Sequence, residues 1–153
     1  MLFDKQLLWS DEQDISQTQA TYASTNVLDL EKASPRQIGP GNELYVFWQI
    51  IAAVTGTSST LQVRLVNSAA AGLGSPTVLL DSGAIPEATL IAGYGITWVV
   101  PTDVLLLRYV GLDYTIGTAT TDGGTITAGI VASTDTKVKG VWTGVSAAIG
   151  NWA

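Results

Sequence analysis

The chain has no cysteine and no histidine, and only 13% of its residues are charged. Each shortage removes a class of chemistry. Without cysteine there are no disulfides and no thiolate metal sites. Without cysteine or histidine, neither a Ser-His-Asp triad nor a Cys-His pair can be assembled, and a His-ligated zinc or iron site is impossible. Lysine and arginine together number seven, and the only basic cluster is Lys137 with Lys139. Nucleic-acid binding is driven by phosphate neutralisation, so a chain of net charge −6 is expected to bind neither nucleic acid nor an anionic membrane.

Long apolar runs and helical periods are missing as well. The richest run, "LYVFWQIIAAV" (44–54), is too short to cross a bilayer. The first residues, "MLFDKQLLWSDEQD", carry no basic segment followed by an apolar stretch. The expectation is synthesis in a cytoplasm and use without Sec export. No segment keeps a 3.6-residue period over three turns, and no internal repeat is apparent.

What is present is apolar and β-prone. Apolar residues make up 46% of the 153, enough for one domain with one core. In "LYVFWQIIAAV" (44–54), Leu44, Val46, Trp48, Ile50 and Val54 share a face. "TLQVRLVN" (60–67) alternates cleanly, with Leu61, Val63 and Leu65 on one side. Further short strands are expected at "NVLDL" (26–30), "TVLLDSG" (77–83), near Thr89 to Ala92, at "ITWVVP" (96–101), within "LLLRYVGLDYTIG" (105–117) and at "TITAGIVAS" (125–133). "TATTDGGT" (118–125) carries an Asp-Gly hairpin signal. About eight strands at short spacing, with Gly/Pro turns between them, predict an all-β antiparallel sandwich or barrel, and of the two a sandwich with extended N- and C-terminal arms is expected. The expected division is an N-terminal arm over 1–26 with at most one or two short strands, a sandwich over 27–133 and a tail over 134–153. Within the arm, Ser10 with Gln13 could cap one helical turn.

Candidate sites are few. The acids lie mostly in the arm and loops and are read as solvated. Asp11, Glu12 and Asp14 lack the spacing of a calcium loop. "GLGSP" (72–76) lacks the third glycine and the lysine of a phosphate loop. No catalytic, cofactor-binding or metal-ligating residue is assigned, and an enzyme is not expected. Trp48, Trp98, Tyr109 and Tyr114 lie within strands and are read as core; a sugar-stacking platform is the alternative. Trp9, Tyr22, Trp142 and Trp152 have no alternating row to bury them and are candidate interface anchors, unless they fold back onto their own domain. Arg108 interrupts the apolar row Leu106, Val110, Leu112, Tyr114, Ile116. It is a further interface candidate: a strand-end cation that reaches water or takes a partner from another strand or subunit. Asp113, an odd number of residues away, faces the other side and cannot pair with it along the strand.

The segments "STNVLDL" (24–30), "IGPGNELYV" (38–46), "LQVRLVNS…SPTVLLDSGAIPEATLIAG" (61–93) and "RYVGLDYTIGT" (108–118) resemble the capsid cement, or decoration, proteins of short-tailed bacteriophages, a family named for a Bordetella phage protein. The resemblance covers about two-thirds of the chain, in order. It implies a jelly-roll-like sandwich that forms a homodimer on the outer capsid surface of the virion. There it would clamp neighbouring major capsid protein subunits, without cofactors or catalytic residues. A carbohydrate-binding or host-adhesion module on the virion is the alternative. The tail "VKGVWTGVSAAIGNWA" and the aromatic strand "YVFWQII" depart from the family pattern.

Overall fold

The computed structural model describes residues 7–31, 44–101, 104 and 106–131. The alternating segments form ten strands: β1 (Leu8–Asp14), β2 (Thr21–Ala23), β3 (Leu28–Asp29), β4 (Tyr45–Gly56), β5 (Thr60–Ser68), β6 (Thr77–Asp81), β7 (Ile85–Pro86), β8 (Gly95–Val99), β9 (Tyr109–Gly117) and β10 (Thr121–Val131). A single 3-10 turn, Glu87–Thr89, is the only helical element among the described residues. One sheet has the order β1-β10-β4-β8; the other runs β2-β9-β5-β6, with β3 also on β9 and β7 also on β5. Every pairing is antiparallel.

The strands pair from the outside of the sequence inwards: β1 with β10, β2 with β9, β4 with β8, β5 with β6. Rolled into two sheets, that nesting is the jelly roll, so both the sandwich and its jelly-roll character are borne out. The core lies between the sheets and is built by period-two rows. Val46, Trp48, Ile50, Ile126, Ala128 and Ile130 come from the first sheet; Leu61, Val63, Leu65, Val110, Leu112 and Ile116 come from the second. Full burial of each larger aliphatic side chain stabilises the fold by roughly 1.5–3 kcal/mol.

The described part of the 1–26 segment carries two strands, β1 and β2, hydrogen-bonded into opposite sheets. Three local expectations need correction. Ser10 and Gln13 do bond, Ser10 Oγ donating to Gln13 Oε1 at 2.7 Å, but across an irregularity in β1 rather than at a helix start. Glu12 there has φ 46° and lies within the register shift between Ser10 and Gln13.

The Asp-Gly signal at 122–123 does not make a hairpin. β9 and β10 belong to different sheets, and residues 118–120 carry the chain across the sandwich. Gly123 and Gly124 lie inside β10, where its register against β4 shifts. Gly124 has φ +131°, and a Cβ on it would sit 3.0 Å from Val54 Cα. These glycines let the bulged strand approach β4, so a local turn signal is overridden by the long-range wrap. No strand forms at Thr89 to Ala92: Thr89 ends the 3-10 turn that follows β7, and residues 90–92 are loop and turn. There Pro86 precedes Glu87, and Leu90 N–H closes the turn on Glu87 O.

The outer face of the second sheet is covered in part by its own loops. Leu73, at φ 53°, is buried from the β5–β6 loop. Its Cδ1 lies 3.1 Å from where a Cβ on Gly111 would be, so the bare backbone of β9 forms its seat.

Candidate functional site

The five candidate interface residues separate cleanly. Trp9 is fully buried on the inner side of β1 and belongs to the central core cluster. It is not available to a partner. A lone indole in an acidic strand shows no alternation, yet it is what fastens that edge strand to the core. Tyr22 is half-buried, packs against the same cluster, and pairs in register with Tyr114. Its hydroxyl donates to Thr18 O at 3.1 Å and lies 2.9 Å from Thr18 Oγ1, so this ring too serves its own domain. Trp142 and Trp152 lie outside the described residues, as does the tail that carries them.

Arg108 stands just ahead of β9 and is exposed. Its Nε donates to Asp29 Oδ1 at 2.8 Å and its Nη2 to Asp29 Oδ2 at 2.7 Å. The guanidinium also lies 4.9 Å from the centre of the Tyr109 ring. Its pKa is raised, first by the hydrogen bond with Asp29. The partner therefore comes from a neighbouring strand, β3, whose Asp29 pairs with Tyr109. The row that Arg108 interrupts is the core row: Leu106, Val110, Leu112, Tyr114 and Ile116 are all buried.

A second pair lies at the centre of the same sheet. Asp113 is buried on β9, directly opposite Arg64 on β5. Arg64 Nε donates to Asp113 Oδ1 at 2.8 Å and Nη2 to Oδ2 at 2.7 Å. Arg64 has a raised pKa, chiefly through that hydrogen bond. The pair floors a hollow of about 370 Å³ on the outer face, walled by Thr21, Ala23, Leu73 and Pro76. With Leu73 and its neighbours around it, the Asp113 carboxylate is buried although it lies on an outer face, while Arg64 stays partly exposed. In sequence, Leu73 is lost among the small residues of "SAAAGLGSP".

Two further polar links join the sheets or their loops. Tyr114 Oη and Ser10 Oγ are 2.7 Å apart inside the sandwich. Because Ser10 donates to Gln13, Tyr114 is the donor in that contact. Burial raises the Tyr114 pKa above its ordinary 10.0, and the bond with Ser10 offsets this in part. On the surface, the Glu87 carboxylate accepts from Ser59 Oγ, from Ser59 N at 3.1 Å and from Ser58 N at 3.2 Å. Those bonds, the Ser59 hydroxyl first, hold Glu87 below its ordinary 4.5.

The aromatics weighed as a sugar platform are mostly inside. Trp48 and Tyr114 are fully buried. Trp98 packs on the inner face, its ring centre 6.3 Å from that of Trp48. Tyr109 lies beneath Arg108. Asp11, Glu12 and Asp14 are exposed along β1, and no three potential ligands among the described residues converge on a metal position. No described helix is long and apolar enough to cross a membrane.

A search of curated proteins finds no match. The model of the Bbp16 family matches residues 9–132, from β1 through the end of β10. The match takes in every strand of the jelly roll rather than a fragment of it, and the chain belongs to the Bbp16 family, a family of phage-associated proteins.

Proposed function

We propose that this chain is a capsid cement protein. It binds the outside of an icosahedral phage head as a homodimer and bridges neighbouring major capsid protein subunits. It works by binding alone, without catalysis or a cofactor. The observation that carries this reading is the family match across the whole sandwich. The composition agrees with it: the chain has few charges and an apolar content of 46%, suited to contact with other proteins. Exposed apolar side chains such as Ile91, Val99 and Ile51 are available for such contacts. Trp142 and Trp152 are candidate anchors by their chemistry.

The mechanism is linkage. A protein that touches two shell subunits at once binds the assembled shell and not its separated parts, and so stabilises assembly by mass action. Many modest contacts suffice, because the second contact of each bridge is intramolecular. The test compares particles carrying the protein with particles stripped of it, under heat and under osmotic shock. Decorated heads are expected to retain their DNA at higher temperature. Equal survival of the two overturns the cement role.

A further inference from the structure

The four edges of the sandwich are not alike. β1 carries Asp11, Glu12 and Asp14 and is broken by register shifts. The edge of β2 and β3 consists of segments three and two residues long. The edge of β6 and β7 contains Asp81 and Pro86, follows Pro76, and is offset by a register shift between Leu65 and Val66. Charge, proline, bulges and short length are the devices that keep an edge from pairing with another chain. β8, "GITWV" from Gly95 to Val99, carries no charge, proline or register shift within its five residues, and Pro101 follows only after Val100. It pairs with β4 on one side, and no described strand lies on its other side.

We propose that β8 is a self-pairing edge, joining two copies of this chain into one continuous sheet across a two-fold axis at Thr97. The backbone is set for it. Ile50 N–H donates to Tyr94 O, and Val100 N–H donates to Leu44 O. Backbone groups alternate sides along a strand, so even-numbered residues face β4 while Gly95, Thr97 and Val99 turn their N–H and C=O groups outwards. An antiparallel pairing centred on Thr97 places Thr97 opposite Thr97 and Gly95 opposite Val99. Every outward-facing residue then meets an outward-facing residue, and each such pair exchanges both N–H···O bonds.

The side chains are self-complementary in the same register. Val99 is 51% exposed in the single chain, and in the pair it falls opposite a glycine. That gap is fixed, since a Cβ on Gly95 would lie 2.5 Å from Trp48 O. Ile96 falls opposite Trp98 on the inner face, and Thr97 opposite itself. Aromatic with β-branched and threonine with threonine are favourable cross-strand pairs. The strand bears no charge, so two copies of net charge −6 can meet there without opposing carboxylates. A two-fold interface of this kind closes on itself and ends at two copies.

This supplies an interface for the homodimer of the cement reading, but it is tested on the isolated chain in solution. Loss of shell binding therefore leaves it standing, and loss of pairing leaves shell binding to be judged separately. The measurement is sedimentation of the wild type, Thr97→Pro and Val99→Lys. Thr97 N–H faces away from β4, so proline there removes outward pairing and leaves the β4 ladder whole. Val99→Lys is a second, gentler block at an exposed position. The wild type is expected at twice the chain mass, and both variants at the mass of one chain with unchanged circular dichroism. In a chain without cysteine, Thr97→Cys is expected to cross-link on oxidation, because hydrogen-bonded partners lie about 5.5 Å apart, within disulfide reach. Val78→Cys on β6 is expected to stay single. A monomeric wild type, a dimeric Thr97→Pro, or cross-linking through Val78→Cys instead would each overturn the proposal.

Discussion

Arg64–Asp113 and Arg108–Asp29 are the same device built twice. In each, Nε donates at 2.8 Å and Nη2 at 2.7 Å to the two oxygens of one carboxylate. Each ties β9, or the residue just ahead of it, to a neighbouring strand. They differ in what surrounds them. The side chains of Arg64 and Asp113 are 24% and 4% exposed, those of Arg108 and Asp29 44% and 35%. Matching bond lengths therefore do not mean matching energies. A buried carboxylate has lost its water and depends on its partner, whereas an exposed one exchanges a guanidinium for solvent at little net change.

The largest expected effect comes from breaking the buried pair on one side only. Arg64→Met keeps much of the side-chain volume but leaves Asp113 buried without its cation. Such a loss costs about 3 kcal/mol, at the lower end for buried pairs because Arg64 is partly solvated. For a chain of this length that lowers Tm by roughly 6–12 °C. Replacing both partners, as in Arg64→Met with Asp113→Leu, is expected to recover most of the loss, since two apolar groups need no compensation. Thermal unfolding of the single and double variants checks this. A double variant no better than the single would mean that the pair orders the Leu73 loop rather than neutralising Asp113.

The two pairs also differ in how far the sequence discloses them. Alternation in 44–54 and 60–67 identifies the core rows directly, because a half-buried strand must repeat every two residues. The same parity argument separates Arg108 from Asp113 and sends each to a partner on another strand. It cannot name those partners, Asp29 and Arg64, since register between distant strands is set by the wrap of the whole chain. For that reason the Asp-Gly signal at 122–123 misleads, being local where the connection is long-range. β1 stays hidden because one tryptophan supplies its burial, and Leu73 because a single plug residue has no period at all.

Burial without charge sharpens the comparison. The Tyr114 hydroxyl is enclosed and donates to Ser10, and its pKa is raised by desolvation. The folded state therefore holds this proton at a pH where the unfolded chain has released it. Its contribution is whole below the ordinary value of 10.0 and is lost as pH rises above it. The wild type is expected to lose stability more steeply above about pH 10 than Tyr114→Phe, which has no proton to release there. At neutral pH the phenylalanine variant is expected to be less stable by about 1 kcal/mol, the usual net worth of one hydrogen bond. Denaturant unfolding at a series of pH values reads both. Parallel alkaline slopes would show that Tyr114 does not control the high-pH limb.

The smallest effect is expected at Arg108. Arg108→Met removes an exposed bidentate pair and a cation over Tyr109, and is expected to lower Tm by no more than about 2 °C. Salt distinguishes this pair from its buried twin. Raising the ionic strength shortens the screening length from ~10 Å at 0.1 M to ~3 Å at 1 M, which weakens exposed pairs far more than enclosed ones. The gap between wild type and Arg108→Met should therefore close in 1 M salt, while that between wild type and Arg64→Met persists. If the Arg108 gap persists as well, Arg108 is held by its planar contact with Tyr109 rather than by the charge of Asp29. In that case Arg108→Lys, which keeps the charge and loses the plane, should be as damaging as methionine.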